Sequence, residues 1–233
     1  MSPSKGKFNP EYAGKITIDM IGYEEERIAF GSTTEEAIDE VINRCVKSPK
    51  DFDASKLTQE GRFFLLMKIR IHSYGDEYHI TYEENGEEIR QKISLDDLEV
   101  IELDDNYTLP KGKLPLCGSE IEMRPIRVAD YRKIEDYCRE KATKFGVSYI
   151  NTLSESVMLK KIASIDGEKK TTSECLAFYS SLKGKDLAYI RWLAGKVDNY
   201  GYSRDIDIVT KSGMNRKVQV RMTGEFFRPE FDD

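Results

Sequence analysis

The amino-acid sequence predicts an α+β fold, with a mainly helical core around one central buried helix and β-hairpin modules after that helix and at the C-terminus. Three observations carry the prediction. The longest apolar run, LTQEGRFFLLMKIRIHSYG at residues 57–75, has the punctuation of a helix. Just after Gly75 the apolar period changes from that of a helix to two. Helix starts then recur through residues 129–203, and period two returns beyond Arg204.

Taken in order, residues 1–14 mix Pro, Gly, Ser, Lys and Asn with little apolar content, which predicts a flexible arm. Ile16, Ile18 and Met20 alternate with polar residues and predict a short strand, paired with residues 27–30 across Gly22. Residues 34–46 read as a helix: Thr33 and Glu36 make a capping box, and Ala37, Ile38, Val41, Ile42, Cys45 and Val46 form one apolar stripe. Its expected packing partner is the central helix. There Thr58 is the N-cap, Glu60 meets the positive helix end and Gly75 supplies the stop. At ~100° per residue, Phe63, Phe64, Met67, Ile71 and Tyr74 share a face, and Leu65 and Ile69 form a second strip divided from it by Arg62, Lys68 and His72. A helix apolar on two sides belongs in the middle of a domain, with its cations leaving through gaps or pairing with acids.

Tyr78, Ile80 and Tyr82 then alternate, Asn85-Gly86 turns the chain, and Ile89, Gln91, Ile93 and Leu95 alternate on the return, which predicts a hairpin. A second β segment at residues 114–128 turns at Gly118 and points Ile121, Met123, Ile126 and Val128 inward, with Pro125 arguing for an edge strand. Helices follow from Ala129, with Asp130 as N-cap and Gly146 as stop, and then over 151–165, 172–182 and 186–200. The third of these has a Thr171/Glu174 capping box. The fourth buries Leu187, Ile190, Leu193 and Val197, with Trp192 on a second packed face. The closing hairpin sets Ile206 and Ile208 against Val218, Val220 and Met222. The chain thus divides into an arm at 1–14, strand and helices at 15–75, a hairpin module at 76–128, a helical segment at 129–203 and a C-terminal hairpin and tail at 204–233.

Composition excludes several function classes. Among 233 residues, a charged fraction of 33% and the lack of any apolar run near the ~20 residues of a membrane span predict a cytosolic protein with no membrane partner. The net charge of −6 is uneven: residues 76–105 hold twelve acids and two bases, which leaves +4 on the rest. Such a region repels a phosphate backbone, so no nucleic acid partner is expected. Cys45, Cys117, Cys138 and Cys175 are too scattered for a C-x-x-C metal pair, and Asp96-Asp97 and Asp104-Asp105 lack the surrounding oxygen ligands of a cation loop. Phosphate-cradle, nucleophile-elbow and zinc-protease motifs are absent, and His72 and His79 read as ordinary core or surface histidines. No catalytic residue, metal or cofactor is expected.

The motif L-T-x-x-x-R-x-F-L-L-x-x-x-R-x-x-S-Y-G-x-x-Y at residues 57–78, the hairpin after it, LP-x-x-G-x-x-I-x-M-R at 114–124 and the ending Phe226-Phe227-Arg228-Pro229 together resemble the baseplate hub assembly proteins of T-even-type contractile-tailed bacteriophages. In that family the hairpins are often knuckle-like. Here residues 82–89 and 209–216 contain no cysteine, so any metal held by relatives is not carried over. The resemblance implies a hub assembly chaperone or structural hub component that binds other baseplate hub or tail proteins, in the host cytoplasm during assembly and in the virion baseplate as a component. A phage-encoded regulator that binds a host protein through the acidic hairpin is the alternative, and a hydrolase with an unfamiliar site the third. The expected partner-binding residues are Phe226, Phe227 and Arg228, as aromatic and arginine anchors, with Asp96 and Asp97 of the acidic region as a second contact. For the two phenylalanines, closing the core is an equal alternative.

Overall fold

Helices alternate with small antiparallel sheets of two or three strands, an α+β arrangement. The computed structural model describes residues 16–31, 34–102, 108–197, 200–220 and 224–227. Chain contacts form two units, Met1–Leu103 with Tyr200–Asp233 and Asp104–Asn199. The arm expected at 1–14 lies outside the described residues.

The first unit begins with β1 (Thr17–Ile18), α1 (Tyr23–Gly31), α2 (Glu35–Cys45) and β2 (Val46–Ser48). Residues 27–30 are helical, not the strand expected. Glu24, Glu25 and Glu26 fill the first turn of α1, where carboxylates favour the helix, and Arg27 donates to Glu24 at 2.7 Å. The partner of β1 is instead β2, in antiparallel pairing. The cap of α2 is Thr34 rather than Thr33: its hydroxyl accepts from Ala37 N–H at 3.3 Å.

The central helix is α3 (Gln59–Tyr74), capped by Thr58, whose hydroxyl accepts from Gly61 N–H at 3.0 Å. Phe63, Phe64, Leu65, Leu66, Met67 and Ile69 are all buried, so both apolar strips are covered. The buried Arg62 donates from Nε to Asp39 Oδ1 at 2.6 Å, from Nη2 to the Glu35 carbonyl at 2.7 Å, and from Nη1 to the Glu35 carboxylate. Arg70, fully buried, donates to the carbonyls of Gly75 (2.7 Å) and Glu77 (2.9 Å), which fixes the turn out of the helix. Burial lowers the pKa of its guanidinium. Lys68 instead lies over the rings of Phe64 and Tyr202, at 5.6 and 5.2 Å.

The predicted hairpin follows as β3 (Glu77–Glu84) and β4 (Glu87–Ser94), with Glu84 opposite Glu87 and Tyr78 opposite Ile93. Asn85 and Gly86 turn it with φ of 56° and 84°, the left-handed pair that matches strand twist. Beyond it lies β5 (Val100–Ile101).

The second unit has its own core. β6 (Lys111–Lys113), β7 (Glu120–Met123) and, after α4 (Val128–Phe145) and α5 (Tyr149–Lys161), β8 (Ile162–Ile165) form a sheet in the order β6-β7-β8. Two expectations are corrected here. Residues 162–165 leave the helix and pair with β7, and β7 is a central strand, paired on both sides; Pro125 lies past its end, where its missing N–H costs no ladder bond. Residues 114–128, grouped above with the first hairpin, therefore pack with the helical segment. Helix α4 starts at Val128 with no side-chain cap; Asp130 sits in its first turn and pairs with Lys160 at 3.1 Å. The capping box of α6 (Thr172–Ser181) is present in both directions. In α7 (Gly184–Val197) Ile190, Leu193 and Val197 join a core with Leu114, Ile121, Met123 and Ile162. Asp186, buried, accepts from the N–H groups of Leu116 (2.7 Å) and Cys117 (3.1 Å) and so pins their loop. Trp192 is 52% exposed, not on a packed face, with Lys196 Nζ 4.0 Å over its ring.

The chain then returns to the first unit. β9 (Gly201–Tyr202) pairs antiparallel with β5, and Tyr202 stacks on Phe64 at 5.2 Å. Gly201 adopts φ 89°, a backbone conformation that L side chains rarely take, where the chain passes Glu60 of α3. β10 (Asp205–Val209) and β11 (Asn215–Gln219) form the second hairpin, and α8 (Gly224–Phe227) ends the described chain.

Candidate partner-binding surface

The sequence-predicted anchors separate into two groups. Phe226 and Phe227 are 0% and 6% exposed. Phe226 meets Tyr78 edge-on at 5.9 Å and Phe227 at 5.2 Å, so in this structure both close the core and neither offers a free surface. Arg228 lies outside the described residues. Asp96 and Asp97 are exposed, in a short turn whose Asp96 N–H donates to Ser94 Oγ at 3.2 Å. The Ser94 hydroxyl also donates to Asp76, and this bond holds the Asp76 carboxyl below the usual range.

Asp97 lies on one wall of a groove of about 670 Å³ between the two hairpins of the first unit. Its carboxylates are Asp76, Glu77, Asp97, Glu99, Asp205 and Asp207, against Lys92 and Lys217. Lys92 pairs with Glu77 at 2.7 Å, and Lys217 lies 4.0 Å from Asp207. Side chains bridge the two hairpins. From the middle of β4, Gln91 Nε2 donates to the Val209 carbonyl at 3.4 Å, and at the tips Ser212 donates to the Glu84 carboxylate at 2.5 Å and Arg216 to the Glu83 carbonyl at 2.5 Å. At the base, Ser203 N–H donates to the Glu99 carbonyl at 2.8 Å.

Sequence reasoning missed Asp205 and Asp207. Their signal was legible, because Asp-Ile-Asp-Ile at 205–208 puts both acids on the face opposite two buried isoleucines. Their approach to the first acidic hairpin, more than a hundred residues earlier, was not.

Among the described residues no group of three or more His, Cys, Asp or Glu side chains is placed to hold a metal, and no helix is long and apolar enough to cross a membrane. His72 is exposed, and the His79 ring lies 3.4 Å from Arg90 on the neighbouring strand. The unbalanced carboxylates of the groove give it a negative field that attracts basic groups. A family profile described as "T4 bacteriophage base plate protein" matches residues 2–228. The same comparison with curated proteins and with solved structures found no match.

Proposed function

We propose that this chain, which belongs to the T4 bacteriophage base plate protein family, helps to assemble the hub of the baseplate by protein–protein binding, as an assembly chaperone or as a structural hub component, without catalysis. The observation that carries the reading is the span of the family match, which takes in both hairpins and both units. Its partners are other baseplate hub or tail proteins, met in the host cytoplasm during assembly. The acidic groove holding Asp97 is the proposed contact, with the exposed Asp96 beside it. A basic partner steered there binds more weakly as salt rises.

Affinity purification from infected cells tests this. Recovery of baseplate proteins supports the reading, and presence in purified virions separates a component from a chaperone. A single host protein as the sole stable partner sinks it in favour of a host-directed regulator.

A further inference from the structure

The edge of β10 that faces the groove has a backbone phase that can be read from its hydrogen bonds. Val220 N–H donates to the Arg204 carbonyl at 2.7 Å, and Thr210 N–H to the Met214 carbonyl at 2.9 Å. In an antiparallel ladder the residues that bond inward alternate. Arg204, Ile206, Ile208 and Thr210 therefore use their backbone groups inside the hairpin, and Asp205, Asp207 and Val209 turn theirs outward.

Side chains cover the two ends of that edge. The Ser203 hydroxyl accepts from Asp205 N–H at 3.2 Å and donates to the Asp205 carbonyl at 3.1 Å, while Gln91 Nε2 reaches the Val209 carbonyl at 3.4 Å. In between, among the described residues, the N–H and carbonyl of Asp207 and the N–H of Val209 have no partner. Asp207 is also open to solvent, its side chain 79% exposed.

A chain laid along this edge meets Asp205 and Asp207 on its outer face and the Ile206 and Ile208 side on its inner face. Asp97 and Glu99 also line the groove, and neither groove lysine pairs with their carboxylates. We propose that the groove takes an extended segment of a partner protein, about five residues long, with lysine or arginine at every second position and apolar residues between, which adds as a strand to the outer edge of β10. An incoming backbone N–H replaces the long Gln91 bond on the Val209 carbonyl. That the donor is a baseplate protein rests on the proposed function; the chemistry of the groove does not.

The test uses the full chain and three labelled decapeptides, alternating Lys-Val, the same Lys-Val sequence with every backbone nitrogen methylated, and alternating Glu-Val, followed by fluorescence anisotropy. Lys-Val is expected to bind at least about tenfold more tightly than its N-methylated form, which has the same charge but lacks the N–H groups for pairing, and Glu-Val not to bind. Asp207→Pro removes an outward N–H at an edge position that tolerates proline, and is expected to weaken Lys-Val about tenfold with the melting temperature retained. Without any substitution, exchange of the Asp207 and Val209 amides is expected to slow when Lys-Val is bound.

Equal binding of the N-methylated and unmodified Lys-Val peptides overturns the proposal, because the surface then attracts any polycation. So does failure of Lys-Val to bind, or unchanged exchange at Asp207 and Val209. Recovery of baseplate partners by Asp207→Pro at full yield sinks the groove and leaves the assembly role standing. Lys-Val binding by a chain that recovers no baseplate protein does the reverse.

Discussion

Arg62 is a buried cation held by side chains of a neighbouring helix. Asp39→Ala removes its shortest well-formed bond and leaves a buried charge short of a partner, so the variant is expected to lose about 3–5 kcal/mol in chemical denaturation. Replacing Arg62 and Asp39 together by leucine is expected to cost less than Asp39→Ala alone, since no charge is then stranded. A double-variant loss as large as the single one counts against this. The thiols make a second expectation. Cys45 is pushed up to about 12 by burial and then by Glu25 and Asp19, whereas Cys117 is exposed. At neutral pH a thiol reagent should label Cys117 at once and Cys45 only on unfolding, as peptide mass mapping over time would show. The sequence showed Arg62 as a cation between two apolar strips, but its partner depends on how α2 packs on α3, which no local pattern encodes.

At the scale of elements, Leu66→Ala in α3 is expected to cost about 2–5 kcal/mol and Phe226→Ala in α8 about 3–5 kcal/mol, while Lys68→Ala costs about 1 kcal/mol or less. Equal midpoints for all three in thermal melts would deny α3 and α8 their place in the core. The contact between hairpin tips is a pH-dependent element. The Ser212 and Thr210 hydroxyls hold Glu84 below its ordinary value of 4.5. A lowered folded-state pKa stabilises the fold above the ordinary value, and that stabilisation is lost as pH falls through the lowered one. Ser212→Ala should move the Glu84 titration, followed by carbon NMR, back toward 4.5. The central helix and first hairpin were legible because Thr58, Gly75 and Asn85-Gly86 act on their immediate neighbours. The strand β8 was not. Residues 162–165 continue an apolar helical run, and only pairing with β7, some forty residues earlier, makes them extended. For the same reason the sequence showed the acidic stretch that holds Asp97 but not the second hairpin that lines the groove with it.

On the scale of the whole molecule, the two units differ in charge, −9 for the first and +3 for the second, so the negative field on which the proposed groove contact relies belongs to the first. The second unit is one unbroken stretch with an internal core of Leu114, Ile121, Met123, Ile162 and Leu193. Residues 108–199 produced alone should melt cooperatively in calorimetry, and Ile121→Ala should lower the transition by about 2–5 kcal/mol of stability. A broad, featureless melt would show that the stretch needs the rest of the chain. The first unit has no such independence, because β5 waits for β9 and Tyr78 waits for Phe226. On the ribosome, the 124 residues from Asp104 to Phe227 take roughly 6–25 s to emerge at 5–20 residues per second. Throughout that interval a nascent chain carries the unfilled seat of two phenylalanines beside Tyr78 and α1. Slow codons placed within 104–199 would prolong this exposure to cellular chaperones and proteases, and lower the yield of a protein whose finished form is unaltered.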